Sequence, residues 1–304
     1  MAQITVIGGT NIDIEGMPYD TLIYRDSNPG RIKMSYGGVG RNITENIARL
    51  GGDVAMVSVA GDDYMGTGAV EALKSLGVDT SHIRIAKGET SAMYLSILNS
   101  KNDMELAICN MDILERITPQ FIDEAAELLS KSRIVALDTN LEPELLRYIT
   151  ETTTGVAKFL DPVSVTKAVR AKDIIGEFDI IKPNLLEAEI LSGIKITEES
   201  DIRRAAAVFL DRGVSKVYIT LGENGVYYAD KGTDGFIRPG SVEIVSATGA
   251  GDAFSAAIIM GFVNNIDTAK TAELGMAAAA FAMQSSTAVN KNICMEGIRC
   301  LANI

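Results

Sequence analysis

The stretch Thr248-Gly249-Ala250-Gly251-Asp252-Ala253-Phe254 sets one carboxylate among small residues, just ahead of a run of helix-forming and apolar residues over 253–263. Gly249 and Gly251 permit positive φ and close approach of another group, and the first amides of a helix lack intrahelical partners and attract anions. Asp252 stands in that positive field. Two readings follow: a tight turn whose acid complements the helix dipole, or a phosphate site with a carboxylate beside it.

Other polar groupings recur after apolar runs. Asn11 and Asp13 follow the strand-like Ile4-Thr5-Val6-Ile7-Gly8 and, two apart, point to one side if the chain stays extended. They are turn residues or a polar pair at the carboxyl end of a strand, where open α/β sheets bind ligands. Gly37-Gly38-Val39-Gly40-Arg41-Asn42 precedes Ile43, Ile47 and Leu50 at helical spacing. Gly38 then serves close helix packing or opens the backbone to a polyhydroxylated substrate, with Asn42 as donor and acceptor. In Lys182-Pro183-Asn184-Leu185-Leu186-Glu187, Asn184 and Glu187 share a face of a first helical turn. They form a capping box or offer oxygens to a hard cation. Thr220 and the glycines Gly222 and Gly225 belong to a plain hairpin signalled by Asn224-Gly225, or to a turn that touches nucleotide phosphates.

The elements that must carry these residues alternate. Strands are expected at 54–60, 134–138, 156–160, 178–181, 217–220, 226–229 and 242–245. Helices are expected at 43–50, 64–76, 119–130, 143–153 and 201–212, and three close the chain from Ala253, Thr268 and Met295. Such alternation means parallel βαβ units with helices on both faces. Two hairpin-like excursions, turned at Ser27-Asn28-Pro29-Gly30 and at Lys101-Asn102-Asp103, could pair into a small second sheet that closes as a lid. The fold class is therefore a three-layer α/β/α domain, mostly parallel, spanning 1–304 with lid segments at about 12–36 and 90–113.

Bulk properties narrow the function. With 47% hydrophobic and 22% charged residues the chain reads as globular, and its net charge of −12 disfavours nucleic acid and anionic membrane surfaces as partners. No apolar run reaches the roughly 18 residues of a membrane span, and the amino terminus lacks a signal-peptide pattern. Cys109, Cys294 and Cys300 form no C-x-x-C pair, which fits a reduced, cytoplasmic protein without a disulfide framework. His82 is the only histidine and lies in a loop-like segment, so Ser-His-Asp and Cys-His catalysis are disfavoured. A dinucleotide fingerprint fails because Phe254 occupies its third glycine position, and neither a Gly-Lys dipeptide of a P-loop nor a G-x-S-x-G elbow occurs.

Taken jointly, the motifs resemble the PfkB, or ribokinase-like, carbohydrate kinases over essentially the full length. Residues 37–51 are similar to the amino-terminal signature of that family and Thr248 to Phe254 to its carboxy-terminal one. Lys182-Pro183-Asn184-x-x-Glu187 resembles its magnesium and phosphate motif, and Thr220-x-Gly222-x-x-Gly225 its nucleotide turn. Within the family, Gly9-Thr10-Asn11-Ile12-Asp13, Ser27-Asn28-Pro29-Gly30, Gly37 to Ile43 and Asn110-Met111-Asp112-Ile113 are most similar to the pseudouridine kinases.

The resemblance implies a ribokinase-like fold and ATP-dependent, Mg²⁺-assisted phosphorylation of a nucleoside 5′-hydroxyl, that of pseudouridine, or else of a sugar or another nucleoside. A regulator that binds nucleosides on the same fold is the alternative of another class. By the resemblance Asp252 is the base and Gly249, Ala250 and Gly251 the anion hole. Asn11, Asp13, Gly38 and Asn42 hold the ribose, Asn184, Thr220, Gly222 and Gly225 the nucleotide, and Glu187 the metal. Arg31, Lys33, Ser91, Tyr94 and Asn110 belong to the lid, Asp161 supports the site, and Lys182 either shares the role of its magnesium and phosphate motif or serves structure. Ser246 replaces an aspartate common at a monovalent-cation site, and Asn290-Lys291-Asn292 lacks a proline common beside adenine, so a monovalent cation and the adenine contacts stay open. An exposed lid edge would suit a homodimer.

Overall fold

In the computed structural model, which describes residues 3–101, 103–240 and 244–302, two sheets organise the chain. The strands are β1 (Ile4–Ile7), β2 (Asn11–Pro18), β3 (Gly30–Gly37), β4 (Val54–Gly61), β5 (Ile83–Ala86), β6 (Ala92–Leu98), β7 (Met104–Asn110), β8 (Ile134–Asp138), β9 (Ala157–Asp161), β10 (Ile180–Ile181), β11 (Lys216–Thr220), β12 (Val226–Asp230) and β13 (Asp234–Ile237). The main sheet has nine strands in the order β13-β12-β11-β10-β9-β8-β1-β4-β5. It is parallel from β11 to β5, and β12 and β13 close its other edge antiparallel.

Its central strands are apolar on both faces because helices cover both faces. Ile4, Val6, Met56, Ala136 and Phe159 pack on one side against Ile43, Ile47, Phe254, Ile258 and Leu274 of the helices Val39–Arg49, Ala250–Val263 and Thr268–Met283. Ile7, Val57, Leu137, Leu160 and Val217 pack on the other side against Phe121, Leu146, Ile149, Leu191 and Phe209. The result is the three-layer α/β/α fold.

The lid is a second sheet of four strands in the order β3-β2-β6-β7. The hairpin β2–β3 pairs antiparallel, β6–β7 does likewise, and β2 joins them in parallel with β6. Because side chains alternate, Asp13, Ser35 and Tyr94 share one face, while Ile14, Met34, Leu95 and Ile108 share the other.

Several expected elements differ. Of the strand expected at 242–245, residues 242 and 243 lie outside the described residues, and Ile244 and Val245 are exposed and outside any strand. The turn residue Asn102 also lies outside them. The helix expected at 119–130 is two helices, Pro119–Glu124 and Ala126–Lys131, parted where Ala125 leaves helical geometry at ψ 2°. Phe178 precedes β10 and packs in the core. The helix expected from Ala253 begins at Ala250 behind Gly249, at φ 80°, so Asp252 lies within its first turn. Strands β5 and β13 and the helical segment Val165–Ala168 with its 3-10 extension were not anticipated, because four-residue edge pieces carry too little periodicity.

Candidate active site

The carboxyl ends of β1, β8, β9, β10 and β11 lead into Gly8-Gly9, Asp138, Asp161, Lys182 and the 221–225 turn, on the side of the sheet where open α/β folds bind ligands. Asp138 organises the first of these loops. Its fully buried Oδ2 accepts from Gly9 N at 3.0 Å and Gly40 N at 2.8 Å, and its Oδ1 from Asn140 N at 2.8 Å. Burial nonetheless pushes its carboxyl above the usual range. A Cβ on Gly8 would lie 2.3 Å from that Oδ2, which is why the strand must end in glycine there. Asp138 thereby staples the end of β1 to the start of the Val39–Arg49 helix.

That staple sets a row of polar side chains. Asn11 Nδ2 donates to Asp13 Oδ1 at 2.6 Å, and a Cβ on Gly38, at φ +100°, would meet Asn11 Oδ1 at 3.0 Å. Gly38 O accepts from Asn42 N at 2.8 Å, and Asn42 Nδ2 donates to Asp252 Oδ2 at 2.8 Å. Arg41 Nη1 donates to Asn42 Oδ1 at 3.1 Å, so the amide has one orientation in which its NH₂ faces Asp252. Arg41 is buried, clamped by Glu45 and set over the Tyr36 ring. Burial also lifts the Asp13 carboxyl, against the pull of Asn11 and Arg41.

Asp252 is a strongly perturbed carboxylate. Burial first and Asp161 second push it up to about 7, Asp138 adding to them, against Asn42 and Lys182. Its side chain still keeps a solvent-facing side, so a substrate can reach it. Among the described residues the amides of Gly251 and Asp252 have no protein partner, whereas Ala250 N donates to Ala247 O at 3.3 Å. Gly249 is fixed by its backbone: besides its positive φ, a Cβ would lie 1.8 Å from Ala288 O.

A second row approaches from β9 and β10. Lys182 Nζ lies 2.9 Å from Asp161 Oδ2, which also accepts from Ser255 Oγ at 2.8 Å. Burial works against the Lys182 charge, but Asp161, Glu187 and Asp252 together hold its pKa above the ordinary value. Asn184 caps the Leu185–Ser192 helix in a reciprocal capping box: Asn184 N donates to Glu187 Oε2 at 2.8 Å, and Glu187 N to Asn184 Oδ1 at 2.9 Å. Glu187 is buried, and burial raises its pKa despite that bond and Lys182. Thr220 bridges to Asn184 in parallel, which brings the 221–225 turn alongside. Gly222, at φ +59°, faces open space, while a Cβ on Gly225 would strike Ile237 O at 1.9 Å. The turn is both a hairpin and an open backbone surface.

The expected site residues thus fall into two contact rows that meet at the start of the Ala250–Val263 helix. Among the lid residues, Lys33 donates from β3 to Ser286 O on the main body, so the face that carries Asp13 looks inward. Ser91 is committed elsewhere: its N donates to Asp63 Oδ2 at 2.6 Å and its Oγ accepts from Gly61 N at 3.0 Å. Asn110 Oδ1 accepts from Asp112 N at 3.2 Å, and Arg31 lies 5.9 Å over the Tyr19 ring. Ser246 Oγ accepts from Thr248 N at 3.2 Å, and Asn290 Nδ2 donates to Phe281 O at 2.8 Å. Asp138 and the Arg41 clamp were missed. The available signal for Asp138 was an aspartate directly ending a buried apolar run, as in Ala136-Leu137-Asp138.

Residues 1–293 match the model of the pfkB family carbohydrate kinases. The chain belongs to that family. Among relatives of this PfkB protein, the pseudouridine kinase of Escherichia coli is 33% identical over 97% of this chain and 95% of its own. The ribokinase of Haemophilus influenzae is 31% identical over 92% of each. The structure of Arabidopsis thaliana ribokinase complexed with ribose and ATP superposes with a TM-score of 0.84 at 21% identity, covering 100% of this chain and 99% of that one. This PfkB chain is therefore a sugar or nucleoside kinase, a phosphotransferase, on a ribokinase-like fold. Among the described residues no helix is long and apolar enough to cross a membrane.

Proposed function

We propose that this PfkB kinase transfers the γ-phosphoryl group of ATP to the 5′-hydroxyl of pseudouridine. The observation that carries the chemistry is the Asn42–Asp252 pair at the start of the Ala250–Val263 helix, a carboxylate pushed up to about 7 beside amides that have no partner among the described residues. A base with that affinity accepts a hydroxyl proton near neutral pH and releases it again. In the proposed step the hydroxyl oxygen bonds to the γ-phosphorus while the bond from that phosphorus to the β–γ bridging oxygen breaks. The hydroxyl proton passes to an Asp252 oxygen and the bridging electron pair leaves with ADP. Gly251 and Asp252 N–H face the negative charge at the helix start, with Ala250 and Gly249 shaping the turn.

A nucleoside rather than a bare sugar is favoured by the lid. Beside Asp13 its inward face carries Ser35 and Tyr94, and it continues with Glu15, Lys33 and Ser96 one strand repeat of about 7 Å further along. Asn11, Asp13, Gly38 and Asn42 suit ribose hydroxyls, and the polar row beyond them suits the donors and acceptors of a uracil base.

The residues present fit magnesium that arrives with the nucleotide. Asp161, Glu187 and Asp252 surround Lys182, Asp138 adds negative charge near Asp252, and a polyphosphate entering such a site needs added positive charge. Both Glu187 oxygens already accept from Asn184, at 2.8 Å each, and among the described residues no three-carboxylate cage exists. Glu187 and Asn184 would therefore hold the ion through waters, as suits a cation that dehydrates reluctantly. When bound, the ion neutralises charge on the β- and γ-phosphates. Thr220, Gly222 and Gly225 would line the phosphate path beside it.

We further propose that two copies pair through the outer lid face, where Ile32 and Met34 of β3, Leu95 of β6 and Leu106 and Ile108 of β7 are exposed. The three free cysteines, all exposed, fit a reducing cytoplasm.

The deciding experiment measures ADP release with pseudouridine, uridine, other nucleosides, ribose and fructose phosphate. Pseudouridine should give the highest kcat/KM. Preference for ribose would replace this reading with a sugar kinase, and nucleoside binding without turnover would make the protein a regulator.

A further inference from the structure

We propose that Arg41 is a positioning residue for phosphoryl transfer: it fixes the face that the Asn42 amide shows to Asp252 and ties that amide to the root of the lid. The proposal rests on the kinase reading above. Arg41 lies in the first turn of the Val39–Arg49 helix and is only 5% exposed. Its Nη1 donates to two acceptors, Asn42 Oδ1 at 3.1 Å and Tyr36 O at 3.2 Å, while Nη2 is clamped by Glu45. Tyr36 belongs to β3, one residue before that strand ends at Gly37. A single nitrogen therefore joins the lid strand to the amide. With Asn42 Oδ1 held by Arg41, Nδ2 is the group left for Asp252 Oδ2, at 2.8 Å. An amide released from Arg41 is free to turn over and set an oxygen against the carboxylate.

Neutralising Glu45 does not call for Arg41. Arg49 gives that carboxylate two donors of its own, Nε at 2.8 Å and Nη2 at 2.7 Å, both on Oε1. A second, buried guanidinium leaves the three side chains with a net positive charge, and its Nε has no partner among the described residues. Packing alone does not offset the cost of desolvating such a group. The same three side chains reach the other side of the site. Arg49 Nη1 donates to Lys291 O at 2.9 Å, in the segment whose Ala288 O would lie 1.8 Å from a Cβ on Gly249. Arg41, Glu45 and Arg49 thus link the lid root, the Asn42 amide and the segment that backs the turn ahead of the Ala250–Val263 helix.

In the step, the acceptor oxygen bonds to the γ-phosphorus, the bond to the bridging oxygen breaks, the hydroxyl proton goes to Asp252 and the electron pair to ADP. Arg41 exchanges no proton. With Oδ2 of Asp252 engaged by Asn42, Oδ1 is the oxygen left to receive the proton, and Arg41 keeps it in one place by holding the amide. Displacing a reacting group by about 1 Å costs on the order of 10²-fold in rate.

The test is a double-mutant cycle of wild type, Arg41→Met, Asn42→Ala and the two changes together. It is read by kcat and by the acid limb of the kcat–pH profile, with whichever acceptor the wild type phosphorylates best. Arg41→Met leaves Glu45 paired with Arg49, and Asp161, Lys182 and Asp138, which act on Asp252 from the ends of β9, β10 and β8, are the same in all four proteins. In the wild-type background Arg41→Met should lower kcat by about 10–100-fold and move the acid limb to higher pH, with the KM for ATP within about threefold. In the Asn42→Ala background the same change should lower kcat by less than about threefold and leave the limb in place, because the amide through which Arg41 acts is gone. An arginine that serves structure alone, or acts on Asp252 directly by its charge, gives equal effects in both backgrounds. Equal effects, or an Arg41→Met protein that turns over like wild type, overturn the proposal. Arg41→Lys goes through the same cycle, because it keeps the charge beside Glu45 but lacks the planar fork. It should show the same non-additivity whether or not the methionine variant folds, and equal losses from it in both backgrounds also overturn the proposal. If wild type phosphorylates no acceptor of the panel, the kinase reading falls and this proposal with it, whereas an active wild type with additive losses removes the role of Arg41 alone.

Discussion

Replacing Asp252 by Asn removes the proposed proton acceptor while nearly preserving its shape, and it separates two consequences of one electrostatic cause. The carboxyl is lifted from 3.8 to about 7 chiefly by burial and by Asp161. Its folded-state pKa therefore lies above its unfolded value. Whatever stability the protonated group contributes is fully present below about pH 4 and is lost as pH rises to about 7, after which the cost stays constant. At 1.36 kcal/mol per pH unit the ceiling is roughly 4 kcal/mol, and the solvent-facing side of the residue reduces the expected cost to about 1–2 kcal/mol. Neutral Asn carries no such cost. Urea unfolding should show Asp252→Asn more stable than wild type near pH 8, with the difference shrinking toward pH 5. Turnover should fall by about 10²–10⁴-fold, the range for a positioned general base, with nucleotide affinity retained. A variant within tenfold of wild-type turnover, or a stability difference that does not change with pH, would refute the reasoning.

The neighbours of Asp252 give further expectations. Asn42→Ala removes the donor that lowers its proton affinity, so the acid limb of kcat/KM should move to higher pH; an unmoved limb contradicts the pairing. Glu187→Gln leaves an NH₂ facing that of Asn184, so the Mg²⁺ concentration for half-maximal rate should rise severalfold and excess Mg²⁺ should restore part of the rate, with unchanged Mg²⁺ dependence counting against a metal role. Ile32→Glu combined with Ile108→Glu places charge on the outer lid face and should yield monomers by sedimentation, an outcome that a persistent dimer would exclude.

The layers were legible because buried parallel strands leave continuous apolar runs and amphipathic helices leave a 3.6-residue period, as at Ile43, Ile47 and Leu50. The lid was legible as two hairpins. Short edges were not: β5 and β13 are held by pairing with β4 and β12, and that support is not encoded within four residues. The site was legible where chemistry sits in one local motif, as with Asn184 and Glu187, whose capping geometry follows from spacing alone. It was illegible where partners lie far apart. Asp138 meets Gly9 across 129 positions and Gly40 across 98, and no spacing rule spans such distances. Lys182 stands beside Gly251 only because β10 ends and the Ala250–Val263 helix begins at the same edge of the fold.

These long-range contacts also explain why the scaffold and the base cannot be tuned separately. Asp138 is needed to hold Gly9 and Gly40 together, and through them Asn11 and Asn42, yet its charge adds to the lift on Asp252. Asp161 anchors Lys182 and Ser255 and is a larger source of the same lift. Carboxylates that build the site therefore make the Asp252 carboxyl hold a proton more tightly, and Asn42 and Lys182 act in the opposite direction. The value of about 7 is the resultant, and it suits the proposed proton acceptor at neutral pH. A change that weakens either opponent, Asn42 or Lys182, should leave Asp252 protonated over more of the physiological range. A change that weakens Asp161 should free the proton too easily and also release the ammonium from its anchor. The negative excess has the same origin, and under the proposed function the polyanionic substrate would bring a cation that offsets it.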